Sequence, residues 1–136
     1  MSFLLSSFKG VDFIVFHAHT VPENLKDRPL YNHNPEYWLV RLNGDEMEKL
    51  GKKFADSLNE SKSAVKVAIP GQGLSIPNKP GGVFFDPAAD KRFMDQMQNN
   101  LKDDIEVTSF DMHVNDAEFG KAVGKLFIDM MNKESK

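Results

Sequence analysis

The chain has 136 residues, 40% of them hydrophobic, and a formal net charge of −3. That length and apolar share suit a single folded domain, residues 1–136, with its own core, and the acidic balance offers no basic footprint for nucleic acid. The absence of cysteine excludes a disulfide framework, a thiolate nucleophile and any Cys-ligated zinc or iron-sulfur site, and makes the cytoplasm the natural location.

The opening Met1 to Gly10 is apolar in flavour but lacks the basic start and long apolar run of a signal peptide or membrane anchor, so it reads as the end of a packed element. Val11 to Phe16 is a nearly continuous apolar run rich in β-branched and aromatic residues, the pattern of a strand covered on both faces. It ends at His17-Ala18-His19. A polar segment with Pro22, Pro29 and Pro35 leads to a short strand candidate, Tyr37 to Leu42, of unassigned direction. From Asn43 the period becomes helical through Met47, Leu50, Phe54 and Leu58, with Asn43 and Glu46 in capping-box positions.

Val65 to Ile69 is a third strand, closed by Pro70 and Gly71. The loop from Gln72 to Phe85 is longer than ordinary connections, which points to a functional or mobile segment; Gly81 to Asp86 can fold back over the same edge as a lid, with Lys79 available for a negative group. Asp86-Pro87 starts a helix with the stripe Phe93, Met97 and Leu101. Ile105 to Met112 is the fourth strand. A last helix, capped by Asn115 with Glu118, carries Phe119, Val123, Phe127 and Met130.

Strands alternating with helices from residue 37 onward predict an α/β, Rossmann-like layered fold with a small, mostly parallel sheet flanked by helices. Four strands with an apolar remnant ahead of them suggest a truncated subdomain, completed by self-association or by a partner chain that supplies the missing portion. Ligands of open α/β sheets bind beyond the carboxyl ends of the strands. In a parallel sheet that edge gathers His17 and His19, the Gly71-Gln72-Gly73-Leu74-Ser75 segment, and Asp111, His113, Asn115 and Asp116.

His17 and His19 have a spacing that allows paired metal ligands, with His113 and Asp116 as further donors, but no HExxH motif or acidic cluster accompanies them, and the expectation is no metal. Gly71 and Gly73 match neither a Walker A loop nor the dinucleotide fingerprint; they can still turn amides toward an anion. Arg41, before a helix start, can clamp a carboxylate or phosphate or pair with a local acid. His33-Asn34-Pro35 reads first as a turn. His113 is the candidate acid or base, with a tie between neighbouring loops as its structural alternative.

Three stretches carry a resemblance: VPENLKDRPLYNHNPEYWLVR, GQGLSIPNKPGGVFFDPAAD and FDMHVNDAEFGKAV. Together they resemble the C-terminal part of a family of uncharacterised bacterial and fungal proteins that includes the inhibitory, ATP-binding domain of the tomato mosaic virus resistance protein. The family chain is about three times longer, with two Rossmann-like subdomains, and the likeness covers the last part of the second. It marks His33, Asn34, Pro35, Arg41, Gly73, Ser75, Gly81, Gly82, Phe84, Asp86, Pro87, Asp90, His113, Asn115, Asp116 and Phe119 as motif positions, whereas the Asp usual after the Gly-x-Ser segment either appears here as Asn78 or is displaced.

The leading expectation is a module that binds a small anionic or nucleotide-like molecule at the strand-end edge, through Arg41, Gly71, Gly73, Ser75, Gly81, Gly82, His113, Asn115, Asp116, His33 and Asn34. ATP enters only through the resemblance. The alternatives are an enzyme subunit completed by another chain, with His113 as acid or base, and an assembly module without ligand.

Overall fold

The computed structural model describes residues 3–7 and 10–135. Among these residues, six strands and three α-helices follow in the order β1 (Phe3–Ser7), β2 (Phe13–His17), β3 (Leu30–Asn32), β4 (Tyr37–Arg41), α1 (Gly44–Asn59), β5 (Ala64–Pro70), α2 (Pro87–Asn100), β6 (Glu106–Phe110) and α3 (Ala117–Glu134). The strands form two sheets: a parallel one in the order β1-β5-β6 and an antiparallel one in the order β2-β4-β3. The α/β class expected from the sequence is therefore observed. The opening apolar segment, of which residues 1, 2, 8 and 9 lie outside the described residues, supplies β1.

The parallel sheet is built on β5. Val65, Val67 and Ile69 alternate onto one face, where they meet Met47, Ala55 and Leu58 of α1 and Ala89, Phe93 and Met97 of α2 in the main core. Ala68 belongs to the second cluster, with Val114 and Phe119, against which Val123 and Leu126 of α3 pack. Helices thus cover both faces. Capping fixes where α1 and α2 begin: Asn43 and Glu46 form the expected capping box, and the Asp86 side chain accepts the amide of Ala89. Gly51 permits the close crossing of α1 and α2, since a Cβ there would stand 2.2 Å from the Phe93 carbonyl oxygen.

Three expectations are corrected. Val11 to Phe16 is not a covered strand of the parallel sheet. It contributes β2, which pairs antiparallel with β4, and Ile14 and Val15 are exposed. An antiparallel pair needs no helical crossover, so the helix-poor segment between the two strands suffices. β3, too short to announce itself by periodicity, completes that sheet on the other side of β4. Finally, α3 begins one residue later than expected: Asp116 is its N-cap residue, and its carboxylate turns back to accept the His113 amide instead of capping the helix.

Candidate functional site

The carboxyl ends of β5 and β6 are stitched together by backbone bonds. Gly71 donates to the Phe110 carbonyl at 2.8 Å, Gln72 to Met112 at 3.0 Å, and Val114 back to Gly73 at 3.1 Å. His113 tightens this seam. Its Nε2 lies 2.8 Å from the Ser75 carbonyl oxygen and 3.1 Å from that of Asn78, while Nδ1 accepts the Asn115 amide at 3.1 Å. Two carbonyls at Nε2 and an N–H at Nδ1 fix the tautomer with its hydrogen on Nε2. The ring ties the two loops together, and neither nitrogen is left over for the proton transfer expected of His113.

The loop from Gln72 to Phe85 is a folded wall, in contrast to the mobile lid anticipated. Leu74, Pro77 and Phe84 are buried, and internal bonds run from Gly82 to the Lys79 carbonyl and from Phe84 to that of Pro77. The Phe84 ring packs against Phe13 and Tyr31 of the antiparallel sheet. Gly73, at φ +132°, is required here: a Cβ would stand 1.9 Å from the Asn78 carbonyl oxygen and 2.8 Å from the His113 ring. Gly81 is exposed at the turn, and Gly82 is committed to the wall's own bonding.

Behind the wall lies a buried polar cluster. Asp12 is 0% exposed, Asn78 1% and Arg41 3%. Arg41 donates through Nε to the Phe84 carbonyl at 3.0 Å, through one terminal nitrogen to the Asp12 carbonyl at 3.2 Å, and through the other to Asp90 Oδ1 at 2.6 Å and the Asp86 carbonyl at 3.3 Å. Asn78 Nδ2 bridges Asp12 Oδ2 and Asp90 Oδ2, each at 2.8 Å, and Ser75 Oγ donates to Asp12 Oδ2 at 2.9 Å. Burial pushes the Asp90 carboxyl above its usual range, and the Asp12 charge adds to that; Arg41 and Asn78 oppose it. Arg41 and Ser75, expected at the ligand, instead hold the wall to the rest of the fold.

In front of the wall is an open cleft of about 520 Å³ lined by Gln72, Ile76, Lys79, Pro80, His113, Asn115 and Asp116. Lys79 is exposed and makes no ion pair among the described residues. The Gln72 side chain donates to the Asp111 carboxylate. Because Asp116 turns back to His113, the first-turn amides of α3 have no side-chain cap. A second pocket, about 190 Å³, opens between Gly71, Gln72 and Gly73 on one side and Phe85, Pro87, Asp90 and Met94 on the other, with Asn78 in its wall.

Of the residues singled out in the sequence, Gly71, Gly73, His113, Asn115 and Asp116 converge on this edge. His33 lines a separate hollow with Phe13, Tyr31 and Ser75, and Asn34 makes the expected turn, accepting the amides of Glu36 and Tyr37. His17 pairs with Tyr37 in the antiparallel sheet and does not join the edge. Among the described residues, no group of three or more His, Asp or Glu side chains is placed to hold a metal ion, and no helix is long and apolar enough to cross a membrane. The residue that sequence reasoning missed is Asp12. Its signal was an acid inside an apolar run, which implies a buried partner.

The sequence profile described as the uncharacterised protein family UPF0261, C-terminal domain, matches residues 4–131. The chain belongs to the UPF0261 family. A UPF0261 protein of Rhizobium meliloti is 32% identical over 131 residues, covering 94% of this chain and 33% of the relative. One from Clostridium tetani is 34% identical over 115 residues, covering 84% and 28%. The ToMV resistance protein Tm-1 of Solanum lycopersicum is 30% identical over 135 residues, covering 96% of this chain and 18% of the tomato protein. The chain thus spans a third or less of these relatives.

Proposed function

We propose that this UPF0261 domain binds a small molecule with an anionic group in the cleft at the carboxyl ends of β5 and β6. The observation that carries the reading is the stitched edge itself: a floor pinned by His113 and three backbone bonds between the two loops, facing an open cleft with Lys79 on its rim. A floor held in place before binding costs little ordering when a ligand arrives. Lys79 and the uncapped first-turn amides of α3 suit a phosphate or carboxylate. Asn115, Asp116 and Gln72 suit the hydroxyls of a sugar, and Ile76 and Pro80 give an apolar wall for a ring.

Charge narrows the choice. Asp116 lines the same cleft as Lys79, and Asp111 engages Gln72 beside it. A monophosphate or carboxylate matches this balance better than a triphosphate, whose extra charge would need a metal ion or further cations from elsewhere in a longer protein. ATP, suggested by the family resemblance, therefore ranks behind a nucleoside monophosphate. Isothermal titration of the full chain with adenosine monophosphate, inorganic phosphate and adenosine tests this. The two phosphorylated ligands should bind, adenosine should bind far more weakly, and Lys79→Glu should weaken phosphate at least about tenfold. Equal binding by the nucleoside and its monophosphate, or no change in Lys79→Glu, would sink the reading.

A second reading, contact with further protein, is favoured by the exposed apolar face of α3, where Ile128 is 57% and Met131 44% accessible. Light scattering at micromolar concentration tests it, with a stable monomer as the contrary result.

A further inference from the structure

The antiparallel sheet turns two aromatic rings toward the wall. Phe13 pairs with Arg41 and Tyr31 with Leu39, and because residues two apart on β4 share a face, both rings rise from the same side of the sheet. Each leans on the buried Phe84 ring, at centroid distances of 6.3 and 6.2 Å, so the pair is braced from behind. The start of β2 is fixed as well. The Gly10 amide donates to the Leu74 carbonyl of the wall at 2.6 Å, and the Phe13 ring lies close over Gly10, where a Cβ would stand 3.2 Å from it.

Between these rings and the wall is a hollow of about 280 Å³, with Phe13, Tyr31, Ile76 and Pro77 as its apolar sides. No Lys, Arg, Asp or Glu lines it among the described residues, so it favours an uncharged group. We propose that the hollow is a subsite for a flat aromatic ring. A dry cavity of roughly 150 Å³ admits benzene, which leaves room here for one ring or two fused ones. Two aromatic walls select a ring over an aliphatic group of equal size, because ring pairs attract beyond what their buried area alone gives. His33 supplies the polar edge. It lines the hollow, is exposed, and its imidazole has no hydrogen-bond partner among the described residues, so it can offer a ring nitrogen to a polar atom of the ligand.

Ile76, 53% exposed, lines both this hollow and the Lys79 cleft, so the two cavities adjoin across its side chain. The inference deepens the proposed function in one respect, resting on that reading for the ligand's other end: a molecule with an anionic group at Lys79 and an aromatic ring beyond Ile76 occupies both. The ring subsite itself stands on the hollow and its braced aromatic walls.

The experiment is an NMR titration of the full chain with indole, and with benzyl alcohol against cyclohexylmethanol as a pair matched in heavy atoms. Indole and benzyl alcohol should shift the Gly10, Tyr31, His33 and Ile76 resonances saturably, with cyclohexylmethanol at least about threefold weaker, the scale of one ring–ring contact. Tyr31→Leu keeps an apolar wall but removes its ring, and should erase that preference; Phe13→Leu replaces it if the first variant does not fold. Equal affinity for the matched pair, a preference unchanged in the variant, or shifts confined to other parts of the chain would each overturn the proposal. So would light scattering that shows a stable dimer together with hollow resonances that indole does not move, since a second copy would then be the occupant. Inorganic phosphate titrated in parallel separates the two sites, and it should bind alongside indole without competition. Loss of the phosphate response with the indole response kept defeats the Lys79 reading alone, and the reverse defeats this one.

Discussion

The wall from Gln72 to Phe85 has two sides with opposite chemistry. Toward the interior, Ser75, Asn78 and the Phe84 carbonyl meet Asp12, Arg41 and Asp90 in a buried network. Toward solvent, Lys79, Gln72 and Asn115 stand at an open cleft with room for a guest. Polarity in a loop marks a need for partners, and on the inner side the partner is the protein itself. The difference predicts that inner residues govern stability and outer ones govern binding.

Arg41→Ala attacks the inner side at its centre and carries the largest expected effect. It leaves the Asp12 and Asp90 carboxylates buried without their cation, and removal of one partner from a buried pair costs about 3–5 kcal/mol. Denaturant unfolding should show that loss, or the variant should fail to accumulate folded. A change under about 1 kcal/mol would mean that the cluster is wetter than its burial indicates.

His113 sits on the seam between the two sides. His113→Ala removes the donor shared by the Ser75 and Asn78 carbonyls and should cost about 1–3 kcal/mol, the penalty for stranding part-buried acceptors. Hydrogen exchange at the Asn78 and Val114 amides should accelerate with it, because both bonds lie on the seam that the ring closes. Unchanged exchange there, with ligand binding lost, would return His113 to the outer side as a group that touches the ligand.

This division explains which parts of the molecule were legible in the sequence. Helical stripes such as Met47, Leu50, Phe54 and Leu58, the Asn43 and Glu46 capping box, and the Asp86-Pro87 start are local signals that tertiary structure left in place. Val65 to Ile69 was legible for the same reason, as a buried run closed by Pro70. Strand partners were not, because Val11 to Phe16 looks alike whether its neighbour runs parallel or antiparallel, and only long-range packing decides. The site was half legible. The strand-edge rule brought Gly71, Gly73, His113, Asn115 and Asp116 to one place, but no periodicity distinguishes an Arg that greets a ligand from one that meets Asp90 forty-nine residues away.

Acidity offers a subtler probe of the inner side. Because burial raises the Asp90 carboxyl, the folded state holds that proton more tightly than the unfolded chain. Its contribution to stability is therefore fullest below the ordinary Asp range and is lost as pH rises through the raised value. Glu46 runs the other way: its bond to Arg28 lowers its pKa, so its contribution is present above the ordinary Glu range and lost on acidification. Asp90→Asn should flatten the decline on the rising-pH side while leaving the acid limb intact. An unaltered profile in Asp90→Asn would show that Asp90 does not titrate differently in the two states.

The smallest effect on stability belongs to Lys79→Ala, and its smallness is the test. Lys79 is exposed and without an ion pair among the described residues, so its truncation should shift stability by no more than about 0.5 kcal/mol. Its carbonyl bond to Gly82 is made by the backbone and survives the substitution. The same change removes the one cation that lines the cleft among the described residues, so phosphate affinity should fall although the unfolding midpoint does not move. A fall in stability above about 1 kcal/mol would place Lys79 with Arg41 as part of the scaffold. The wall would then have no outer side devoted to binding, and the ligand would have to be sought elsewhere on the fold.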